Sequence, residues 1–184
     1  GGGLNVIVVR DKSLCDFEDI KRKASTWTQH TKGATSSGRE WAYSGMGESR
    51  IIIEKYLEDT SNGGGNLADY KFFYFNGRFR LLWVDKDRYT DHHRGFWDEN
   101  LNFLPEMKWI YETFDKTYTL PDNVSEMIRI GEILSDDFPH ARVDLYNIEG
   151  KIYFGEITFY ANSGYGKITP DSFDFELGSY FTEY

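Results

Sequence analysis

The chain has 184 residues, with 21 basic and 30 acidic side chains and a net charge of -9, a balance that argues against a general nucleic-acid footprint and leaves room only for a local basic pocket. Hydrophobic residues make up 40% and charged residues 28%, which suits one domain with its own core, or a substantial part of a larger protein, and excludes a fibrous or disordered chain. The single cysteine, Cys15, excludes an internal disulfide framework, and no apolar run approaches the ~20 residues of a membrane-spanning helix, so a cytoplasmic protein without membrane insertion is expected.

The chain starts Gly-Gly-Gly-Leu, without Met or a signal-like segment, and reads as a fragment or a processed piece. "LNVIVVR" (residues 4–10) reads as a buried strand. Leu14, Phe17, Ile20, Ala24 and Trp27 then recur at helical spacing, with Ser13 as N-cap and Asp16 three residues on. Between Thr31 and Ser49 the chain is rich in Gly, Ser and Thr and reads as a loosely ordered connection. A second apolar strand, "RIIIEKYL" (50–57), leads into "SNGGGN". "DYKFFYF", Asn-Gly and "RFRLLWV" predict a hairpin, because Asn-Gly supplies the positive φ angles of a type I′ turn. The polar, aromatic stretch from Asp85 to Pro121 predicts loops around a sheet, with one short helix. A helix is predicted from Val124 to Asp136: Asn123 and Glu126 resemble a capping box, Val124, Met127, Ile128 and Leu134 form the apolar stripe, and Pro139 follows the end. Aromatics, at 17%, suit strands and half-buried sheet faces, or a sugar-binding platform. The order of elements predicts an α+β fold, a mainly antiparallel sheet with flanking helices.

The hairpin "RVDLYNIEGKIYFGEITF" (142–159) carries an acid on each arm, Asp144 and Glu156. Buried carboxylates are costly unless paired or bound to a cation. Arg142 and Asp144 share a strand face by their spacing; a turn of three or five residues brings Glu156 to that face, and one of two or four does not. In the first register the acids suit Mg²⁺, with Arg142 beside them for a phosphoryl oxygen or a developing negative charge. The same spacing suits a plain Arg-Asp ion pair with Glu156 in solvent, the commoner arrangement for such charges. Asp69 and Lys71 admit cross-strand charge pairing in their hairpin. In "TDHHRGF" the adjacent histidines His92 and His93 point to opposite faces and read as a solvated loop, while Arg94 suits a phosphate contact.

"IIIEKYLED", "DYKFFYFNG", "VDKDRYTDHHRGFWD" and "FPHARVDLYNIEGKIYFGEITFYANSGYGKITPDSFDFELGSY", in that order, resemble the TupA-like branch of the ATP-grasp superfamily, associated with bacterial teichuronopeptide and surface-polysaccharide biosynthesis. The resemblance implies an ATP-grasp fold, with residues 1–57 in the smaller ATP-binding subdomain, 58–184 in the larger metal- and ATP-binding one, and an N-terminal domain absent. It implies an ATP- and Mg²⁺-dependent, ADP-forming ligase that joins a carboxylate to an amine through an acyl phosphate, on small-molecule or polymer substrates, with glycosyltransferase pathway partners. A kinase acting on a sugar hydroxyl and a non-catalytic nucleotide- or glycan-binding module are the alternatives. Glu54, Lys55, Tyr56 and Leu57 are implied at the adenine hinge, Asp69 at the ribose hydroxyls, and Lys71 and Arg94 at phosphate. Asp144 and Glu156 are implied as metal ligands and Arg142 as the catalytic arginine. Thr158 stands where many relatives carry Asn, so Asn162 is the third candidate metal ligand. The family's upstream phosphate-binding lysine and most of its glycine-rich loop fall outside this sequence.

Overall fold

The computed structural model describes residues 5–29, 50–58, 67–88, 91–111, 113 and 118–181. The chain divides into two compact units, residues 1–57 and 58–184. The Thr31–Ser49 connection and "SNGGGN" lie outside the described residues.

In the first unit, helix α1 spans Phe17–Gln29. Its N-terminus is capped by Asp16 rather than by Ser13: the Asp16 carboxylate accepts from the amides of Glu18 and Asp19, each at 3.0 Å. Ser13 belongs instead to a short 3-10 turn, Lys12–Leu14, whose own cap is Asp11. The two apolar runs expected as strands, 4–10 and 50–57, form none over their described residues. A strand is defined by its ladder, and no partner strand pairs with either run among the described residues. The side chains of Ile52 and Ile53 are accordingly exposed.

The second unit is built on a five-stranded antiparallel sheet. Strands β1 (Asp69–Phe75), β2 (Arg78–Lys86), β3 (His93–Asp98), β5 (His140–Ile148) and β6 (Lys151–Thr158) lie in the order β3-β2-β1-β5-β6. The predicted hairpin is β1 and β2, turning at Asn76 and Gly77 with φ of 51° and 71°. The stretch expected as loops contains β3 and the two-residue strand β4 (Lys108–Trp109), which pairs with β7 (Ile168–Thr169). β3 forms because β2 offers an unpaired edge over Leu81–Lys86, along which "HRGFWD" pairs antiparallel. No helix forms in that stretch among the described residues.

Helix α2, Val124–Ser135, covers one sheet face. Its side-chain cap is not made: Asn123 instead donates to the Gly150 carbonyl at 2.8 Å and accepts from Asn147 at 2.6 Å, tying the helix start to the β5–β6 turn. Gly131 lets the helix approach closely, since a Cβ there would overlap the Tyr74 hydroxyl, which donates to the Ile128 carbonyl at 2.9 Å. Tyr70, Phe72, Tyr74, Leu82, Val143 and Leu145 pack beneath α2 in one apolar cluster. On the opposite face Phe73, Phe75, Leu81, Trp83 and Phe96 pack with Met107, Trp109 and Ile168, and helix α3 (Asp171–Ser179) adds Phe173 and Leu177.

The β5–β6 connection is a two-residue turn, Glu149-Gly150, with φ of 53° and 81°. By parity alone it would put Glu156 on the face opposite Asp144. A bulge at Gly155 restores the match: Leu145 pairs with Phe154 and the next pair is Asp144 with Glu156. A side chain at 155 would bring its Cβ to 3.0 Å from the Asp144 carbonyl oxygen, so glycine lets the bulge lie close against β5.

Candidate active site

Strand alternation puts Asp69 and Lys71 of β1, Asp85 of β2, Arg94 of β3, Arg142 and Asp144 of β5, and Glu156 and Thr158 of β6 on the face away from α2. The first six are buried. Register makes them neighbours, pairing Lys71 with Asp144, Asp69 with Asp85, Asp85 with Arg94 and Asp144 with Glu156.

Two charge clusters result. In the first, the Lys71 ammonium bridges Asp69 at 2.6 Å and Asp144 at 2.5 Å, and Arg88 reaches Asp69 at 2.8 Å. Arg142 grips Asp144 with Nε at 2.6 Å and Nη2 at 2.8 Å, and the same Nη2 donates to Glu156 at 3.2 Å and to the Thr158 hydroxyl at 2.9 Å. In the second, Arg94 forms a bidentate pair with Asp85 at 2.7 and 3.1 Å and donates to the Trp109 carbonyl at 2.9 Å. Trp83 joins the two: its indole N–H donates to Asp85 at 3.1 Å, and its ring lies 3.9 Å from the Arg94 guanidinium carbon and 5.2 Å from that of Arg142.

Burial sets the electrostatics. It pushes the Asp144 and Asp69 carboxyls above the usual carboxylate range, against the opposing charge of Lys71. Burial acts on Asp85 too, but the Arg94 and His92 hydrogen bonds outweigh it and hold that carboxyl below the usual range. The Tyr146 phenol, paired with Asp69 across β5 and β1, is pushed up to about 12 by burial. One oxygen of Asp69 is buried without a hydrogen-bond partner among the described residues. The face therefore holds buried, ion-paired acids with shifted titration and one carboxylate oxygen left without a hydrogen bond, the kind of setting in which functional sites concentrate.

Arg142, Asp144 and Glu156 are brought together, with Asp69 and Lys71 adjoining. Arg94 lies on the same face, its guanidinium turned to Asp85. Asn162 is exposed in a 3-10 turn, Ala161–Gly164, beyond the end of β6, where its carbonyl accepts from the Tyr165 amide at 3.1 Å. Thr158 reaches Arg142 directly. Glu54, Lys55, Tyr56 and Leu57 belong to the first unit, in irregular chain; Leu57 is half-buried, and Tyr56 packs its ring 5.3 Å from the Arg10 guanidinium carbon. His92 is not a solvated loop residue: its Nε2 lies 2.9 Å from Asp85 and its ring 3.8 Å from that of Tyr111. Sequence reasoning also missed Trp83, Asp85 and Arg88. The "LLWVDKD" run carried the signal, an acid two residues beyond a tryptophan, but it is a bulge between Phe73 and Tyr74 that shifts the hairpin register and sets Asp85 opposite Asp69, and the Asn-Gly turn alone does not reveal it.

A family model described as TupA-like ATPgrasp matches residues 1–182. The chain belongs to the TupA-like ATP-grasp family. No curated protein and no solved structure matches it. The α+β sheet with its helices fits this ATP-grasp membership, and the charged face holds the buried acids and arginines of this chain among the described residues. No helix among the described residues is long and apolar enough to cross a membrane.

Proposed function

We propose that the protein is an ATP- and Mg²⁺-dependent ligase that joins a carboxylate to an amine and forms ADP. The observation that carries this reading is the cross-strand pair of Asp144 and Glu156 with Arg142 donating to both.

The residues fit the metal. Mg²⁺ is held through one or two carboxylates, with substrate phosphates and water completing its shell. Asp144 and Glu156 offer such a pair, and the unpartnered Asp69 oxygen adds an acceptor on the same face. Among the described residues no cluster of three or more His, Cys, Asp or Glu is arranged to hold a metal, so the protein's share is those two carboxylates, with Asn162 as a third candidate. Bound there, Mg-ATP supplies the phosphoryl group that activates a carboxylate and the positive charge that neutralises it.

The side chains supply positioning and charge. Arg142, backed by the Trp83 ring, holds phosphoryl oxygens or the oxyanion of the tetrahedral intermediate. Lys71 presents an ammonium to phosphate, and Asp69 accepts from ribose hydroxyls. Arg94 is a phosphate contact of this scheme, and Glu54, Lys55, Tyr56 and Leu57 form the adenine hinge. Residues 1–57 act as the smaller and 58–184 as the larger ATP-grasp subdomain. The setting is cytoplasmic synthesis of a bacterial surface polysaccharide or teichuronopeptide, alongside glycosyltransferases, with no part for nucleic acid.

The test is product analysis. The protein is incubated with Mg-ATP, glucuronate and a panel of amino acids. Mass spectrometry is expected to find an amide, with ADP and inorganic phosphate formed in equal amounts. A phosphorylated sugar without amide would make the protein a kinase, and the absence of ADP would overturn both.

A further inference from the structure

Beside Arg142, on the same sheet face, lies an open cleft of about 310 Å³. Phe73, Phe75, Trp109, Phe159 and Phe181 line it, with His140 on its wall and Asp174 among its lining residues. It adjoins the charged face directly: Phe73 is the cross-strand partner of Arg142, and His140 stands two residues before Arg142 on the same face of β5. No lysine or arginine lines the cleft among the described residues. Its character is aromatic with one carboxylate, next to a site rich in arginine.

We propose that this cleft is the acceptor subsite, taking a primary amine on an apolar ring-shaped body, and that His140 Nε2 receives the amine's proton. The assignment rests on the ligase reading above and adds to it the acceptor's chemistry and a proton acceptor. Aromatic faces and a carboxylate attract an ammonium group and give a ring its contact area, whereas no lysine or arginine lines the cleft among the described residues to pair with an anion. The arginine side and the aromatic side thus sort the two substrates by charge, the activated carboxylate at Arg142 and the amine in the cleft.

His140 is built for the proton. Its Nδ1 lies 3.0 Å from the Tyr74 carbonyl, which only accepts, so Nδ1 carries the hydrogen and Nε2 the lone pair. Its ring packs against Phe75 at 4.5 Å and Phe181 at 5.4 Å. Burial first, and then the charge of Arg142, hold its pKa below the ordinary histidine value of 6.5, so the ring is neutral near pH 7. The step balances: one ammonium proton passes to Nε2 and frees the nitrogen lone pair. The lone pair then forms the C–N bond at the acyl carbon, the resulting tetrahedral oxyanion collapses with loss of the C–O bond to phosphate, and a second proton from nitrogen leaves with the phosphate.

The test is a titration of the ¹⁵N-labelled protein with cyclohexylmethylamine and, separately, with cyclohexylmethanol, read at the Trp109 indole N–H and the His140 ring nitrogens. Saturable shifts at both residues are expected with the amine, at an affinity about tenfold above that of the alcohol. Asp174→Asn, a near-isosteric change at an exposed position of α3, is expected to remove most of that preference. His140→Gln is expected to bind the amine and to lack the ring-nitrogen response. Equal affinity for amine and alcohol, or no response at Trp109 to either, overturns the proposal. A parallel Mg-ATP titration separates the readings: loss of amine binding with Mg-ATP binding intact sinks this inference alone, and amine binding without Mg-ATP binding sinks the ligase reading.

Discussion

The two faces of the five-stranded sheet use the same strands in opposite ways. Along β1, Tyr70, Phe72 and Tyr74 turn toward α2 and close an apolar core, while Asp69 and Lys71 turn the other way and are buried just as deeply. The first face is explained by the hydrophobic effect alone. The second works against it, because desolvated carboxylates and arginines recover their hydration only through ideal pairing, and Asp69 keeps one oxygen unpaired. A fold that accepts this cost on one face and avoids it on the other marks where its chemistry lies. Even the charged face is divided: toward Phe73 and Phe75 it becomes apolar, and the cleft opens at that border.

The difference is sharpest under substitution. Asp144→Asn is expected to lower Mg²⁺-dependent ATP turnover by about 100-fold or more, since the charge at the metal and at Arg142 is lost together. Phe72→Ala, on the apolar face, is expected to cost about 3–5 kcal/mol of stability in urea unfolding while the folded fraction keeps its turnover. If Phe72→Ala abolished turnover in protein shown to be folded, the division of labour between the faces would be wrong.

Gly155→Val tests the bulge that brings the two acids together. The new side chain presses on the Asp144 carbonyl and the Tyr146 ring, with an expected loss of about 1–3 kcal/mol and a weaker response to Mg²⁺. Unchanged melting and unchanged Mg²⁺ response would mean that the register does not depend on glycine.

The smallest effect is a pH slope. His140 has a lowered folded-state pKa, so between 6.5 and that lower value the unfolded chain binds more protons and stability falls as pH drops. The groups around the ring are Arg142 on β5, Asp174 and Tyr160 across the cleft, and Tyr180 packed behind Phe75. Unfolding free energies measured at about pH 7 and about pH 5 should therefore differ less in His140→Phe than in the wild type. An equal difference would contradict a half-buried neutral histidine.

Much of this was legible in the residues. Asn76-Gly77 announced its hairpin, the stripe from Val124 to Leu134 announced α2, and Arg142, Asp144 and Glu156 stood out as charges in β-forming surroundings. What escaped was decided at longer range. The parity of the β5–β6 hairpin depends on a bulge at Gly155 that a two-residue turn does not reveal. β3 depends on the edge that β2 offers, and Asp85 depends on a second bulge in β1–β2. The isoleucines at 51–53 show the converse error, since apolar residues favour a strand but cannot supply its partner.

The central claim, that the charged face holds Mg-ATP through Asp144 and Glu156, is tested most directly by calorimetric titration of the wild type, Asp144→Asn and Glu156→Gln with ATP, with and without Mg²⁺. The account predicts Mg²⁺-dependent binding by the wild type that both variants lose. Mg²⁺-dependent binding of equal strength in all three proteins would contradict it.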